Sequence, residues 1–466
     1  MASRLAFVAV LASLAVASGC GGSPAAIPES ASLAPADAVV FASITTDSGS
    51  SQWQNAETVL DRIPGVSGDL ASGLDVLASE GLDWDEDVAP ALGDEVVVVL
   101  TEDMRPVVLL EPVSEEKLDA LLARSDEDVV RGEVDGHVAL AETEADLAQY
   151  RAALEKGTIE GDEAFAAGLD ALPDESLGLV WVDVAALTDE FSSLVERATK
   201  EELELGIDWL SASLSAEEDG MLVALGMRTP GSGDTHYEPE LFGRVPADAV
   251  AAVSFGGTQK ALDGLQGTVD LDEVSQTVEQ LTGVSLDGIV DALSGEGVLY
   301  VRPGETTPDV TLALAPPDPD KTWNTVDRLA RKLATELQAE VTTSVENGLE
   351  VSMLEIEGVT IRYARLDAET IVVTSGADAF GLLAGDGPKL VDSEGYLRAA
   401  EDVGLEGRTK GFVYVDVDGM LPLVESLVGE SVPAEVREGF EAVDSLVFQA
   451  SGDGDTTLVS GFLRVP

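Results

Sequence analysis

Carboxylates dominate the reactive side chains of this chain. Of 466 residues, 88 are Asp or Glu, 26 are Lys or Arg, two are His and one is Cys. His137 follows a turn and His236 sits in "GDTHYEP". Two isolated histidines cannot build a His-rich zinc site, and no "HExxH" occurs. The "GxSxG" elbow and the "GxxxxGK" loop are missing too, so the common hydrolase and nucleotide-binding signatures fail. "SEEK" (Ser114 to Lys117) has the S-x-x-K spacing of penicillin-binding enzymes, but "SDN" and "KTG" are absent. It reads better as a helix start, with Ser114 as the cap and Glu115 and Glu116 near the positive end. Two oxygen-rich stretches remain. "LDWDEDVAP" gathers Asp83, Asp85, Glu86 and Asp87, and "DVDG" (Asp416 to Gly419) opens like a calcium loop. Neither completes a ligand set, and both read as turns with solvated charges. Asp183 and Asp416 each end a "V-W/Y-V-D-V" stretch and precede a helix, which predicts N-caps. Trp181 and Tyr414, two residues earlier on the same strand face, are expected in the core. No catalytic residue, metal ligand or cofactor site follows from these patterns.

The single thiol has a different explanation. In "MASRLAFVAVLASLAVASGC", Arg4 precedes an apolar run from Leu5 to Ala17, and small residues lead to Cys20. The run is too short for a bilayer span. A basic start, a short apolar middle and a small-residue exit form an export signal. A lone cysteine cannot form an internal disulfide, and an exported free thiol is a liability. "ASGC" resembles a bacterial lipobox, which implies that Cys20 carries a diacylglyceryl group and begins the mature chain. Ala17 departs from that pattern, where a branched residue is usual. The alternative is a plain secretory signal ending near a cysteine. "GGSPAAIPESASLA" then reads as a tether.

A formal charge of −62 repels nucleic acid and anionic headgroups. Solubility outside the cell is the first reading of this acidity, beside adaptation to salt and cation binding.

The elements that must position any site occur twice. "PADAV" stands at Pro35 to Val39 and again at Pro246 to Val250, each running into an apolar strand. Matched segments follow in the same order, the clearest being "GLVWVDVAAL" (Gly178 to Leu187) and "GFVYVDVDGM" (Gly411 to Met420). The second copy holds extra residues within "ATELQAEVTTSVENGLEVSMLEIEGVTIRYARL", which predict an added hairpin beside a longer helix. Each copy is expected to end on its own hairpin. The expected organisation is a lipoprotein signal (1–19), a tether (20–33), a first repeat (34–229), a linker (230–243) and a second repeat (244–466). Apolar strands joined by short turns predict antiparallel pairing. The fold class is therefore α+β, a tandem duplication of a mostly antiparallel sheet domain with helices packed on one face.

This pattern of opening strand, "LG-E-VVVVL" strand, "E-x-F/Y" helix and "YVDV" strand behind a lipobox resembles the bacterial domain-of-unknown-function family 3352, found in envelope-associated proteins. The resemblance implies export and an envelope location, and no activity. The expected protein is lipid-anchored at the extracytoplasmic face of the bacterial cell membrane. It has a non-catalytic binding or structural role there, with the membrane as partner and no nucleic acid. Two alternatives are a carrier of a lipid or other hydrophobic ligand in an apolar cavity, and a hydrolase working with carboxylates alone.

Overall fold

The computed structural model describes residues 27–64, 82–124, 129–188, 206–257, 283–304, 307–346, 348–356, 358–385, 387–405, 407–428 and 432–466. The signal (1–19) and Cys20 lie outside the described residues. The chain forms two compact units, one comprising the residues up to Pro230 with Thr456–Pro466, the other Gly231–Asp455. Both are α+β.

The first unit contains β1 (Ala38–Thr45), β2 (Glu95–Thr101), β3 (Pro106–Leu110), β4 (Val130–Val134), β5 (His137–Ala141), β6 (Gly178–Asp183), β7 (Trp209–Glu217) and β8 (Gly220–Arg228). They pair antiparallel in the order β4-β5-β3-β2-β1-β6-β7-β8. The β4–β5 turn has positive φ at Asp135 (47°) and Gly136 (88°), the conformation that a two-residue hairpin needs and that Asp-Gly supplies.

The second unit contains β9 (Ala251–Phe255), β10 (Glu296–Arg302), β11 (Asp309–Ala315), β12 (Val341–Glu346), β13 (Leu349–Ile356), β14 (Val359–Arg365), β15 (Ile371–Thr374), β16 (Gly411–Asp416) and β17 (Ser445–Ser451). Their order is β12-β13-β14-β15-β11-β10-β9-β16-β17, again antiparallel. The order β4-β5-β3-β2-β1-β6-β7 coincides with β14-β15-β11-β10-β9-β16-β17; the second unit adds the hairpin β12–β13, beside the 18-residue helix Pro319–Glu336, and the first adds β8. The registers coincide too. Trp181 lies opposite Phe41 in β1, and Tyr414 lies opposite Ala252 in β9.

Helices cover both sheet faces, not one. Phe41, Val99 and Val107 share a face through their pairing, and the helix Glu163–Leu169 closes it by placing Phe165 edge-on to Phe41 and Trp181. The helices Ala89–Leu92 and Glu115–Leu122 cover the opposite face, where Ala91 and Leu118 pack with Leu110 and Leu140. A strand buried on both sides reads as a continuous apolar run, which is what "VVVVL" and "VVLL" are.

The aromatic clusters of the two units are filled from different elements. In the first, β1 supplies Phe41 and the turn before it supplies Ala31. In the second, β9 supplies Ala252 and the turn supplies Phe242, packed against Tyr396 and Phe412. A large and a small residue have exchanged places at nearly constant core volume, the kind of change that cores tolerate.

Two boundaries differ from the sequence expectation. Residues assigned to the tether (20–33) include the 3-10 turn Glu29–Leu33, with Ser30, Ala31 and Leu33 buried. Its counterpart Phe242–Arg244 begins within the stretch assigned to the linker (230–243). Small, Pro-flanked residues had suggested loose chain, but their smallness lets them enter the core. The compact units also divide at a different point from the sequence repeats. The last strand, β18 (Thr456–Arg464), belongs to the first unit and pairs with β8 over nine positions, from Thr456 opposite Arg228 to Arg464 opposite Gly220. Phe462 is buried over Gly220, where a β-carbon would lie 2.3 Å from its ring. Beyond the strand, Val465 N–H donates to Asp219 O (2.8 Å), and Arg62 Nη1 donates to Val465 O (2.9 Å).

Phe462→Ala should therefore destabilise the first unit, by about 3 kcal/mol as for other buried Phe truncations. Hydrogen exchange on the full chain checks this: β8 amides should lose protection, whereas unchanged β8 protection would place β18 elsewhere.

Candidate functional site

The "PADAV" turns put one carboxylate at the same place in each unit. Ala38 N–H donates to Pro35 O (3.0 Å) and Ala249 N–H to Pro246 O (3.1 Å), closing a tight turn with Asp37 or Asp248 inside it. Pro in first position leaves its N–H requirement nil, and Asp suits a turn. What surrounds the two carboxylates differs.

In the second unit, Arg302 at the end of β10 reaches Asp248. Its Nε donates to Oδ1 and its Nη2 to Oδ2, both at 2.9 Å, and Nη1 donates to Asp378 Oδ1 at 3.1 Å. This is a two-pronged charge-assisted pair, the strong form of such contacts. Arg302 is 8% exposed. Asp378 sits at the N-cap of the helix Ala379–Ala384 but makes no capping bond; its carboxylate is turned to Arg302 instead. Asp309, opposite Arg302 across the sheet, has its pKa raised by burial, against the pull of Arg302.

In the first unit the strand position of Arg302 is taken by Thr101, and that of Asp309 by Arg105. Arg105 pairs with Asp146, which is 5% exposed and also accepts from Thr143 Oγ1 at 2.6 Å. Among the described residues Asp37 has no guanidinium partner, and its Oδ1 is buried with no hydrogen-bond partner. A recess of about 70 Å³ opens here. Tyr150 closes its base, donating its hydroxyl to Leu33 O at 2.6 Å, and burial pushes its pKa up.

A second repeated carboxylate heads β2 and β10. Ser30 Oγ donates to Glu95 Oε1 (3.0 Å), and Leu241 N–H donates to Glu296 Oε1. Both tie the 3-10 turn to the sheet. Burial pushes the Glu296 carboxyl up to about 7, although backbone N–H donors from Leu241 and Phe242 oppose the rise.

The residues singled out by sequence are dispersed. Cys20 lies outside the described residues. Ser114 caps its helix by accepting from Lys117 N–H (3.3 Å). Asp83 accepts from Glu86 N–H (2.8 Å), and Asp87 is bound to Lys117 Nζ at 2.6 Å, so a lysine already faces the "LDWDEDVAP" cluster. Asp183 and Asp416 cap by accepting from Ala186 and Gly419 N–H, both at 2.8 Å. Trp181 and Tyr414 are buried. His236 Nδ1 lies 2.6 Å from Asp234 Oδ1, and the His236 backbone and ring bonds hold that carboxyl at about 2. His137 is a half-buried strand residue. Among the described residues no group of three or more His, Cys, Asp or Glu is placed to hold a metal, and no helix is long and apolar enough to cross a membrane. Arg302 escaped the sequence reading, although an Arg closing the apolar "VLYVR" is a signal that a buried acid waits for it.

No family model matches the chain, and no curated protein does. Among solved structures it is similar to TP0453. Crystal form IV gives a TM-score of 0.27 at 11% identity, covering 50% of this chain and 93% of that one. Crystal form III gives 0.24 at 7% identity, covering 44% and 81%. Scores this low bear on neither fold nor function.

The Glu296 shift has a signed consequence. Between an ordinary value of 4.5 and about 7, the native state holds a proton that the unfolded chain has released. Stability contributed by this group is full below pH 4.5 and is lost as pH rises through 7. Glu296→Gln keeps the acceptor oxygen and removes the titration. It should flatten the fall in melting temperature between pH 5 and pH 8 and raise it at pH 8; an unchanged slope would contradict the assignment. Separately, a calorimetric calcium titration at fixed ionic strength should show no saturable micromolar site at "LDWDEDVAP", because Lys117 occupies Asp87.

Proposed function

We propose that this protein is exported, anchored by a diacylglyceryl group on Cys20 at the extracytoplasmic face of the bacterial cell membrane, and acts there by binding rather than by catalysis. The observation that carries the anchor is the sole cysteine of the chain at the end of a short apolar run, in "ASGC". The resemblance to family 3352 agrees with it. The binding half of the reading is supported by how the gathered charges are used. Asp248 and Asp378 both engage Arg302. Ionic closure of this kind holds a structure together and removes the free base that a hydrolase needs. A hydrophobic-ligand carrier calls for a roomy apolar cavity. The recess at Asp37, of about 70 Å³, is instead lined largely by charged and polar side chains, which favours a polar ligand.

Cys20→Ser is the direct test of the anchor. Labelled fatty acid should enter the native protein and not the variant, and the variant should leave the membrane fraction or stay unprocessed. Equal labelling and equal membrane retention would refute it.

A further inference from the structure

β18 repeats β8. The closing hairpin of the first repeat, Asp208 to Thr229, and that of the second, Asp444 to Val465, align without a gap. Gly220–Arg228 therefore corresponds residue by residue to Thr456–Arg464. The two strands pair antiparallel and set Ala224 opposite Ser460, its own counterpart. The ends match in the same way. Gly220 meets Arg464, the counterpart of Arg228, and Arg228 meets Thr456, the counterpart of Gly220. This is the register of two identical strands about a two-fold axis, the isologous arrangement of a homodimer, made here within one chain.

The edge of β8 suits a second β8. Arg228 O accepts from Asp208 N–H on the β7 side, and Asp219 O accepts from Val465 N–H on the β18 side. Alternation along an antiparallel ladder then turns the backbone groups of Met221, Val223, Leu225 and Met227 to the partner strand. A second β8 in the same register leaves every side chain on its own face. It sets Leu225 against Val223 and Met221 against Met227, apolar on apolar, whereas β18 offers Val223 only Gly461. Leu225 is 43% exposed beside β18. Charge matches as well. Arg464 pairs with Asp219, and in a β8–β8 pair the Arg228 of each copy takes that place, so two such ion pairs form. Arg228 is half-exposed, 3.4 Å from Asp208. A β18–β18 pair is blocked, because Phe462 needs a glycine beneath it, as at Gly220, and would meet Thr456 instead. In a β8–β8 pair Gly226 stands where Phe462 does, and no ring has to be seated.

We infer that β8 is a self-complementary edge, filled by β18 as a built-in second copy and open in the same register to the β8 of another chain once β18 is withdrawn. β18 follows β8 by the whole length of the second unit, so every chain passes through a stage in which β8 is bare. An isologous pair closes on itself and leaves β8 no further edge to offer, so the product is a dimer and not a fibre. The inference is independent of the anchor and of the binding reading.

The test is native mass spectrometry of the full-length protein in detergent under reducing conditions, with hydrogen exchange to follow β18. Phe462→Asp removes the seat of β18, and Val459→Pro removes a donor from its ladder with Leu225; neither alters β8. The parent chain should be monomeric. Both variants should expose the β18 amides and be mostly dimeric at about 10 µM, a micromolar affinity, with no larger species. Leu225→Pro breaks the β8 edge itself, so adding it to either variant should return the monomer. Asp219→Arg, added to Phe462→Asp, brings like charges together at both ends and should weaken the dimer about tenfold. Adding Arg228→Asp as well should restore it. Monomers with β18 exposed, larger oligomers, a dimer that survives Leu225→Pro, or one indifferent to Asp219→Arg would overturn the inference, as would β18 protection unchanged in both variants. Each releasing variant decides the matter alone, so one that does not fold leaves the other as the test.

Discussion

Each unit depends on how the chain enters its central strand. Ahead of β1, Ala36 N–H donates to Gly157 O (3.1 Å) and Ile159 N–H donates back to Ala34 O (3.0 Å). Ahead of β9, Ala247 N–H donates to Pro388 O and Leu390 N–H to Val245 O (2.9 Å). These reciprocal backbone bonds clamp the "PADAV" turn to the segment that begins the aromatic helix. Buried backbone groups must be paired somewhere, and here the pairing fixes the two halves of the core against each other. If the clamp slipped by one residue, every β1 side chain would change face. Phe41 would leave Phe165, and Asp37 would leave the recess.

Within that common frame the two copies have diverged by exchange more than by loss. The core aromatic moved between strand and turn, Phe41 with Ala31 becoming Ala252 with Phe242. The paired cation stands on different strands, as the half-exposed Arg105 just ahead of β3 in one unit and as the buried Arg302 at the end of β10 in the other. The first exchange keeps volume. The second does not keep connectivity, because one arginine can fork on one carboxylate while touching a second, and its displacement by one strand leaves the "PADAV" carboxylate unserved. Arg302 joins two carboxylates in one unit, and in the other the buried Oδ1 of Asp37 has no partner among the described residues; this is the main physical difference between the copies.

Much of this frame was legible in the sequence. The doubled "PADAV", the "VWVDV" and "VYVDV" strands, the capping by Asp183 and Asp416, and the extra hairpin all follow from alternation, turn residues and spacing, which are local. The features that were not legible are non-local. Alternation marks Thr456–Arg464 as a strand without saying that its partner is β8. "ESASL" carries the composition of a tether, yet its small side chains are what allow Ala31 to pack at zero exposure. Continuous apolar strands signalled two covered faces, but the antiparallel turns pointed to a single helical layer. The contrast between Asp37 and Asp248 needed the comparison of two folded registers, since neither Thr101 nor Arg105 is unusual alone.

The central claim is that equivalent carboxylates do different work in the two units, and hydrogen exchange on Asp248→Asn and Asp37→Asn chains measures it most directly. Asp248→Asn leaves the buried Arg302 with one of its two acids, so β9 and β10 amides should exchange faster by an amount equivalent to about 1–2 kcal/mol. Asp37→Asn alters a carboxylate whose Oδ1 has no hydrogen-bond partner among the described residues, so β1 and β2 protection should hold or increase. Equal loss of protection in both units, or none at Asp248, would contradict the account.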